Sequence, residues 1–422
     1  MKVAKSDGSG ERELGEFSGR VKCPQWSPDG KRIRFIVADD TKSLEALWEV
    51  AADGSNPRLL ADGEGFAEGD FQGNWLGDGH SFVFSLSRDG RSDLWLLRED
   101  SGWLGSPRTR QLRLTDGQID MVYPLPSTDN QRLYVIGKHD RNELVRYDPR
   151  SRQFLPYLQG ISAAELSFSR DAQWVAYILF PEHTLWRSRV DGSERRQLTF
   201  APVETFLPSW SPDGKTIAMM ARTRGKSWKI SRISSSGGAL EAILPGQQSE
   251  GHPTWSPDGT TLIFAGVPWE QAFARGSTTI QQLNLRTMKV THLAGSDDLW
   301  SPRWSPEGRY LVAESLDSRS LMLFDFVSKK WKLLTKLRDS LVGYTAWSRD
   351  SKWIYFNSVS DKDRAIVRVS VPEGRAERFL DLSAVRQPDT LGQWFALAPD
   401  GAPLILRNTS LKEIYSMTLH MR

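Results

Sequence analysis

Trp26-Ser27-Pro28-Asp29-Gly30 sets the pattern from which the fold is read. It recurs as Trp210-Ser211-Pro212-Asp213-Gly214 and Trp255-Ser256-Pro257-Asp258-Gly259, with Trp304-Ser305-Pro306-Glu307-Gly308 as a near copy. Looser copies begin at Trp75, Pro126, Phe168, Trp347 and Leu397. A short apolar run follows each, such as Ile33, Phe35 and Val37. The residue types account for the pattern. An aromatic ends one strand and packs between sheets. Pro then fixes φ, Asp bonds its own backbone and Gly accepts positive φ, which makes a turn. A second strand follows, so the element is a repeated hairpin.

The nine anchors are separated by 49, 51, 42, 42, 45, 49, 43 and 50 residues. Self-similarity at this period belongs to propellers or solenoids. A second motif, Asp-Gly-Ser, falls between anchors at Asp53-Gly54-Ser55 and Asp191-Gly192-Ser193. It follows Leu47-Trp48 or Leu185-Trp186 and precedes another short apolar run. One unit therefore reads as four antiparallel strands, which is a propeller blade. A solenoid needs atypical caps, whereas a propeller completes one blade from its two ends. The step from Leu397 through Arg422 and on to Trp26 is 51 residues, one normal period. The expected fold is all-β: a single closed propeller of nine blades over residues 1–422, or eight if the weak copy at Pro126 or Leu397 is an insertion. Residues 1–19 are expected to close it, with Arg12 to Phe17 pairing against Ile414 to Leu419.

The full Trp-Ser-Pro-Asp-Gly copies at Trp26, Trp210 and Trp255 resemble the TolB-like, PD40 branch of β-propellers, also found in prolyl-oligopeptidase-type peptidases. The resemblance spans nearly the whole chain and speaks to fold more than to function. It also implies a role: such rings occur as C-terminal extracytoplasmic domains of bacterial regulators with a winged helix and one membrane span. The start in mid-unit fits an excised domain of that kind.

Composition narrows the partners. A net charge of +3 with no long basic run makes no case for nucleic acid. No run reaches 18 apolar residues, and the start lacks an apolar signal core, so no membrane span is expected. The single cysteine, Cys23, forms no internal disulfide and reads as a buried small hydrophobe. Gly-x-Ser-x-Gly, phosphate-loop and dinucleotide fingerprints are absent, and the six histidines lack zinc spacing. No cofactor or metal is expected, and the chain is expected to be a monomer.

Propellers bind at the mouth of the central channel, away from the Ser-Pro-Asp-Gly turns. The residues three before the anchors are Cys23, Gln72, Tyr123, Glu165, Leu207, His252, Ser301, Tyr344 and Trp394. Packing alone would favour one small residue type, and this set is mixed. Phe71, Phe206 and Trp300 stand one position earlier. Phe71, Tyr123, Glu165, His252, Trp300, Tyr344 and Trp394 are therefore the candidate ligand-binding residues. Their bland alternative is packing between blades. The leading expectation is a non-enzymatic binding or sensing module for a small molecule or protein. Its rivals are a hydrolase or lyase using Glu165, Glu250 and His252, and a TolB-like scaffold.

Overall fold

The computed structural model describes all residues except 40–43, 62–71, 89–90, 101–107, 118, 140, 224–225, 245, 247–248, 267–277, 361–363, 389–393 and 420–422. The sequence also predicts an insertion at 268–277 and long loops at 62–70 and 100–110, and the insertion and most of both loops lie outside the described residues. The chain is all-β and antiparallel. All nine anchors fall on the last residue of the first strand of a sheet, from Arg20–Trp26 through Phe395–Leu397. We number these sheets as repeats 1 to 9.

The turn chemistry is as the residue types dictate. The Ser211 hydroxyl donates to Asp213 Oδ1 at 2.6 Å, and the Lys215 N–H donates to the same oxygen at 3.0 Å. The Thr216 N–H closes the turn onto Ser211 Oγ at 2.9 Å. The Ser-to-Asp bond recurs at Ser27, Ser127, Ser169, Ser256 and Ser348. These serine bonds hold the aspartates below the usual carboxylate range. Anchor indoles stitch neighbouring repeats. Trp75, Trp255 and Trp347 each donate Nε1–H to the carbonyl one residue before the preceding anchor: Gln25 at 3.3 Å, Ser209 at 3.0 Å and Arg303 at 3.0 Å.

The chain divides into two compact units, Met1–Asp140 with Ser410–Arg422, and Arg141–Thr409. Unit 1 holds repeats 1 to 3. Fully buried Arg34 pairs with Glu49 at 2.7 Å and Glu99 at 3.1 Å, its guanidinium 3.9 Å from the Trp75 ring. Leu14 and Phe17 cover the other face of repeat 1, Phe17 lying edge-on to Phe35 at 4.8 Å. Unit 2 holds repeats 4 to 9. Its first strands, Ala163–Phe168, Val203–Trp210, Gly251–Trp255, Leu299–Trp304, Leu341–Trp347 and Phe395–Leu397, touch in that order, and the last also touches the first.

Strand pairing corrects the expected closure of one nine-bladed ring. Arg12–Glu13 pairs with Lys2–Val3, not with the C-terminus. Leu411–Thr418 instead pairs along Arg132–His139 and becomes the third strand of repeat 3. Asn142–Asp148 and Gln153–Pro156, which follow repeat 3 in sequence, complete repeat 9 through Pro403–Asn408. Repeats 3 and 9 thus exchange outer strands. The pairing is fixed by burial: Tyr415, Met417 and Leu419 pack against Leu76, Val83, Leu133 and Val135. Two further expectations change. Trp26 is 46% exposed, whereas Trp75 and Trp210 are buried. Cys23, on the same strand, is exposed rather than buried.

Candidate functional site

The first strands carry a common distortion. In six repeats the residue three before the anchor has positive φ: Cys23 at 50°, Tyr123 at 56°, Glu165 at 54°, Leu207 at 50°, His252 at 56° and Ser301 at 50°. At each, the ladder slips so that two residues face one on the next strand. This is a β-bulge, which bends a strand and re-aims a side chain. Five of the six precede proline, at Pro24, Pro124, Pro208, Pro253 and Pro302, which has no N–H to give the ladder. A non-glycine residue in this region costs about 1–3 kcal/mol and persists where its surroundings impose it.

In unit 2 these bulges converge. The Leu207 N–H, freed from the ladder, donates to Glu165 Oε2 at 2.6 Å. The Tyr344 hydroxyl donates to Glu165 Oε1 at 3.3 Å. Repeats 4 and 8 are not neighbours in the order of contacts, so this bond spans the middle of the inner strands. Arg303 faces Glu314, Tyr344 and Glu165. Its Nη1 donates to the Pro302 carbonyl at 2.9 Å. Arg303 and Tyr344 lie deep in the unit yet keep accessible surface, so they border internal space. His252 is only 5% exposed, and neither ring nitrogen has a hydrogen-bond partner. It stands edge-on to Trp300 at 5.2 Å, and the Arg303 charge disfavours its protonated form. Thr345 Oγ1 is also buried and unpaired. At the turn end, Arg170 donates to the Pro257 carbonyl at 3.1 Å and Arg349 to the Arg170 carbonyl at 3.5 Å, bridging repeats 4, 6 and 8.

Burial dominates the electrostatics. It pushes Glu165 up to about 7, against the opposing Leu207 and Tyr344 hydrogen bonds. It pushes Glu314 up to about 8, against Arg303 and the Ser301 hydrogen bond. Burial also holds His252 well below its usual value, and so neutral. The centre therefore combines one permanent cation, a Glu314 carboxyl largely protonated near neutral pH, a Glu165 carboxyl about half protonated there, and an unpaired imidazole.

The other candidates fall elsewhere. Trp394 is 3% exposed and packs with Leu144, Tyr177 and Leu404, which leaves it no surface for a ligand. Trp300 donates its indole N–H to the Ser315 carbonyl at 3.0 Å and forms a wall beside His252. Tyr123 belongs to unit 1, with Lys138 5.6 Å from its ring. Phe71 lies outside the described residues. Glu250 pairs with Lys229 at 2.5 Å and accepts the Ile230 N–H, so it is a structural acid. Sequence reasoning missed Arg303 and Glu314. Arg303 directly precedes its anchor, where the other repeats of unit 2 carry Ser167, Ser209, Thr254, Ala346 and Ala396. Glu314 pairs with Trp300, a register position filled in repeats 4, 5 and 6 by Ile178, Met220 and Ala265. Comparing repeats position by position would have exposed both.

Chemistry elsewhere is sparse. His292 Nε2 lies 3.3 Å from Ser296 Oγ and 3.8 Å from Asp297. Both reach the same nitrogen, so no carboxylate orients the ring from Nδ1 as a triad requires. Among the described residues, no three His, Cys, Asp or Glu side chains converge as a metal-ligand set. A surface cavity of about 280 Å³ lies along Thr216, Arg232, Gly237 and Glu241, where Arg232 and Glu241 pair with each other.

Comparison with known proteins places this geometry. Residues 161–336, all in unit 2, match PD40, the TolB beta propeller domain. An uncharacterized protein of Agrobacterium fabrum is 23% identical over 249 residues, covering 56% of this chain and 67% of its own length. Dipeptidyl-peptidase 5 of Porphyromonas gingivalis is 24% identical over 362 residues, covering 76% of this chain. The match spans 48% of that peptidase, about half its length. A solved putative TolB from Agrobacterium tumefaciens aligns with a TM-score of 0.51 at 16% identity, over 64% of this chain and 98% of its own. That likeness concerns the fold alone. The resemblance read from the Trp-Ser-Pro-Asp-Gly copies is thus borne out: residues 161–336, in unit 2, carry TolB-like, PD40 β-propeller repeats.

Proposed function

We propose that unit 2 is a self-closed ring of six blades and that it serves as a non-enzymatic binding or sensing module. The cyclic contacts of its first strands support the ring. The observation that carries the function is the convergence of Glu165, His252, Arg303 and Tyr344 from four different repeats, with donors left unused. Buried polar groups are normally paired, and exceptions call for an explanation. A ligand entering between the inner strands, opposite the Arg170 bridge, would pair them. Peptidase relatives keep an enzymatic reading in view. Against it, no nucleophile and base lie within reach of each other among the described residues of this centre.

The test is a ligand screen of the full chain by melting shift, because a ligand that binds only the folded ring raises its apparent stability. Binding should be lost in His252→Phe while the fold is kept. A hit unaffected by substitutions at His252 and Tyr344 would place the site elsewhere. Turnover of a hit, abolished by Glu165→Gln, would favour the enzyme.

A further inference from the structure

We propose that the centre of unit 2 takes a small monocarboxylate, its anion paired with Arg303. This rests on the binding reading above and names the ligand class. Arg303 stays protonated at any ordinary pH and offers five N–H donors in a planar fork. It makes one hydrogen bond, to the Pro302 carbonyl, and among the described residues no carboxylate lies within ion-pair distance. Arg303 is half-buried and its guanidinium keeps accessible surface, so its remaining donors are open to a ligand. The groups facing it supply at most part of a counter-charge. Glu165 of repeat 4 is occupied by Leu207 and Tyr344. Glu314 of its own sheet is held by Ser301. Near neutral pH, burial keeps Glu314 largely protonated and Glu165 about half protonated, while His252 of repeat 6 and Tyr344 of repeat 8 are neutral.

A small anion suits the open donors of Arg303, and the partly ionised Glu165 beside it favours one that carries a single negative charge. A carboxylate fits the guanidinium fork through two parallel hydrogen bonds. Neutral His252 has one donor and one acceptor free, and Thr345 Oγ1 is unpaired, which suits the polar body of such a ligand. Trp300 and Tyr344 provide aromatic walls. A dianionic phosphate fits less well, since its second charge would meet Glu165 and Glu314 as they ionise. The same two acids give the site a pH dependence. As pH rises through about 7 and about 8 they lose protons and compete with the ligand for Arg303, so affinity falls.

The experiment titrates the full chain by calorimetry and melting shift with two isosteric pairs, acetate against acetamide and benzoate against benzamide, and with inorganic phosphate. The carboxylates should bind and the amides should not. Arg303→Gln should weaken carboxylate binding by about tenfold or more, the range for a charge-assisted hydrogen bond. Benzoate affinity should fall between about pH 6 and about pH 9. Glu314→Gln, which cannot ionise, should flatten much of that fall, and this readout stands even where Arg303→Gln fails to fold. Amides binding as well as acids, or phosphate binding more tightly than either, would overturn the carboxylate assignment and leave a binding module standing. Silence from every probe, with a broad library screen also empty, would remove both readings.

Discussion

Trp210 and Trp26 occupy the same place in the repeat and should behave oppositely. Trp210 is buried beside Leu185, Ile217 and Ile233, so Trp210→Ala should cost about 3–5 kcal/mol. Trp26→Ala should fall within about 0.5 kcal/mol, as at other surface sites. Thermal melts of the two variants check the contrast. Glu314 gives a second residue-level prediction, with its sign fixed by linkage. Its folded-state value is raised to about 8, above its ordinary 4.5, so the folded chain holds a proton the unfolded chain releases. Its contribution is complete below about pH 4.5 and is lost as pH rises through about 8. Glu314→Gln should remove that alkaline loss, on the order of a few kcal/mol, in chemical denaturation at stepped pH. A variant that weakens with rising pH as steeply as the parent would count against a buried, protonated Glu314. The sequence made Glu165, His252 and Tyr344 legible as odd members of a repeated position. Arg303 and Glu314 stayed hidden because each is unusual only against its counterparts in other repeats.

At the level of elements, hairpins were legible and their partners were not. The Ser-Pro-Asp-Gly turn is local, since its hydrogen bonds stay within five residues of the serine, and all nine anchors end strands as expected. The third strand of a sheet is a nonlocal choice. The spacing from Pro126 to Phe168 is 42 residues whether repeat 3 keeps its own outer strands or gives them to repeat 9. Period counting is blind to that exchange, and the burial of Tyr415 and Met417 decides it. Gly137 probes this seam. It pairs with Glu413, and a Cβ there would lie 2.3 Å from the Tyr415 ring. Gly137→Ala should cost about 1–3 kcal/mol through overpacking. The cost should shrink in a Tyr415→Ala background, because contacting residues are not additive. Equal costs in both backgrounds, measured by denaturant melts, would mean that 411–418 does not lie on this strand.

For the molecule as a whole, the exchange makes unit 2 an insertion within a hairpin of unit 1. Both ends of the insertion are held together: Asn142 pairs with Asn408, and the Thr409 N–H and hydroxyl both donate to the Arg141 carbonyl, at 2.8 and 3.0 Å. The flanking strands are equally close, since His139 pairs directly with Leu411. Cross-strand partners sit about 5 Å apart, within reach of a two-residue turn. Residues 141–409 alone should therefore fold, carrying six complete sheets and their own cores. Residues 1–140 alone should not fold well, because Arg132–His139 loses its outer partner and becomes a bare edge. Joining 1–139 to 411–422 through Asn-Gly should restore unit 1 by supplying that strand in register. The measurement is a set of three melts with strand content followed by circular dichroism. A cooperative transition for 141–409 and for the joined fragment, with aggregation of 1–140, is expected. A joined fragment no better folded than 1–140 would show that the hairpin needs the inserted unit to bring its two strands together, and that the two units fold as one.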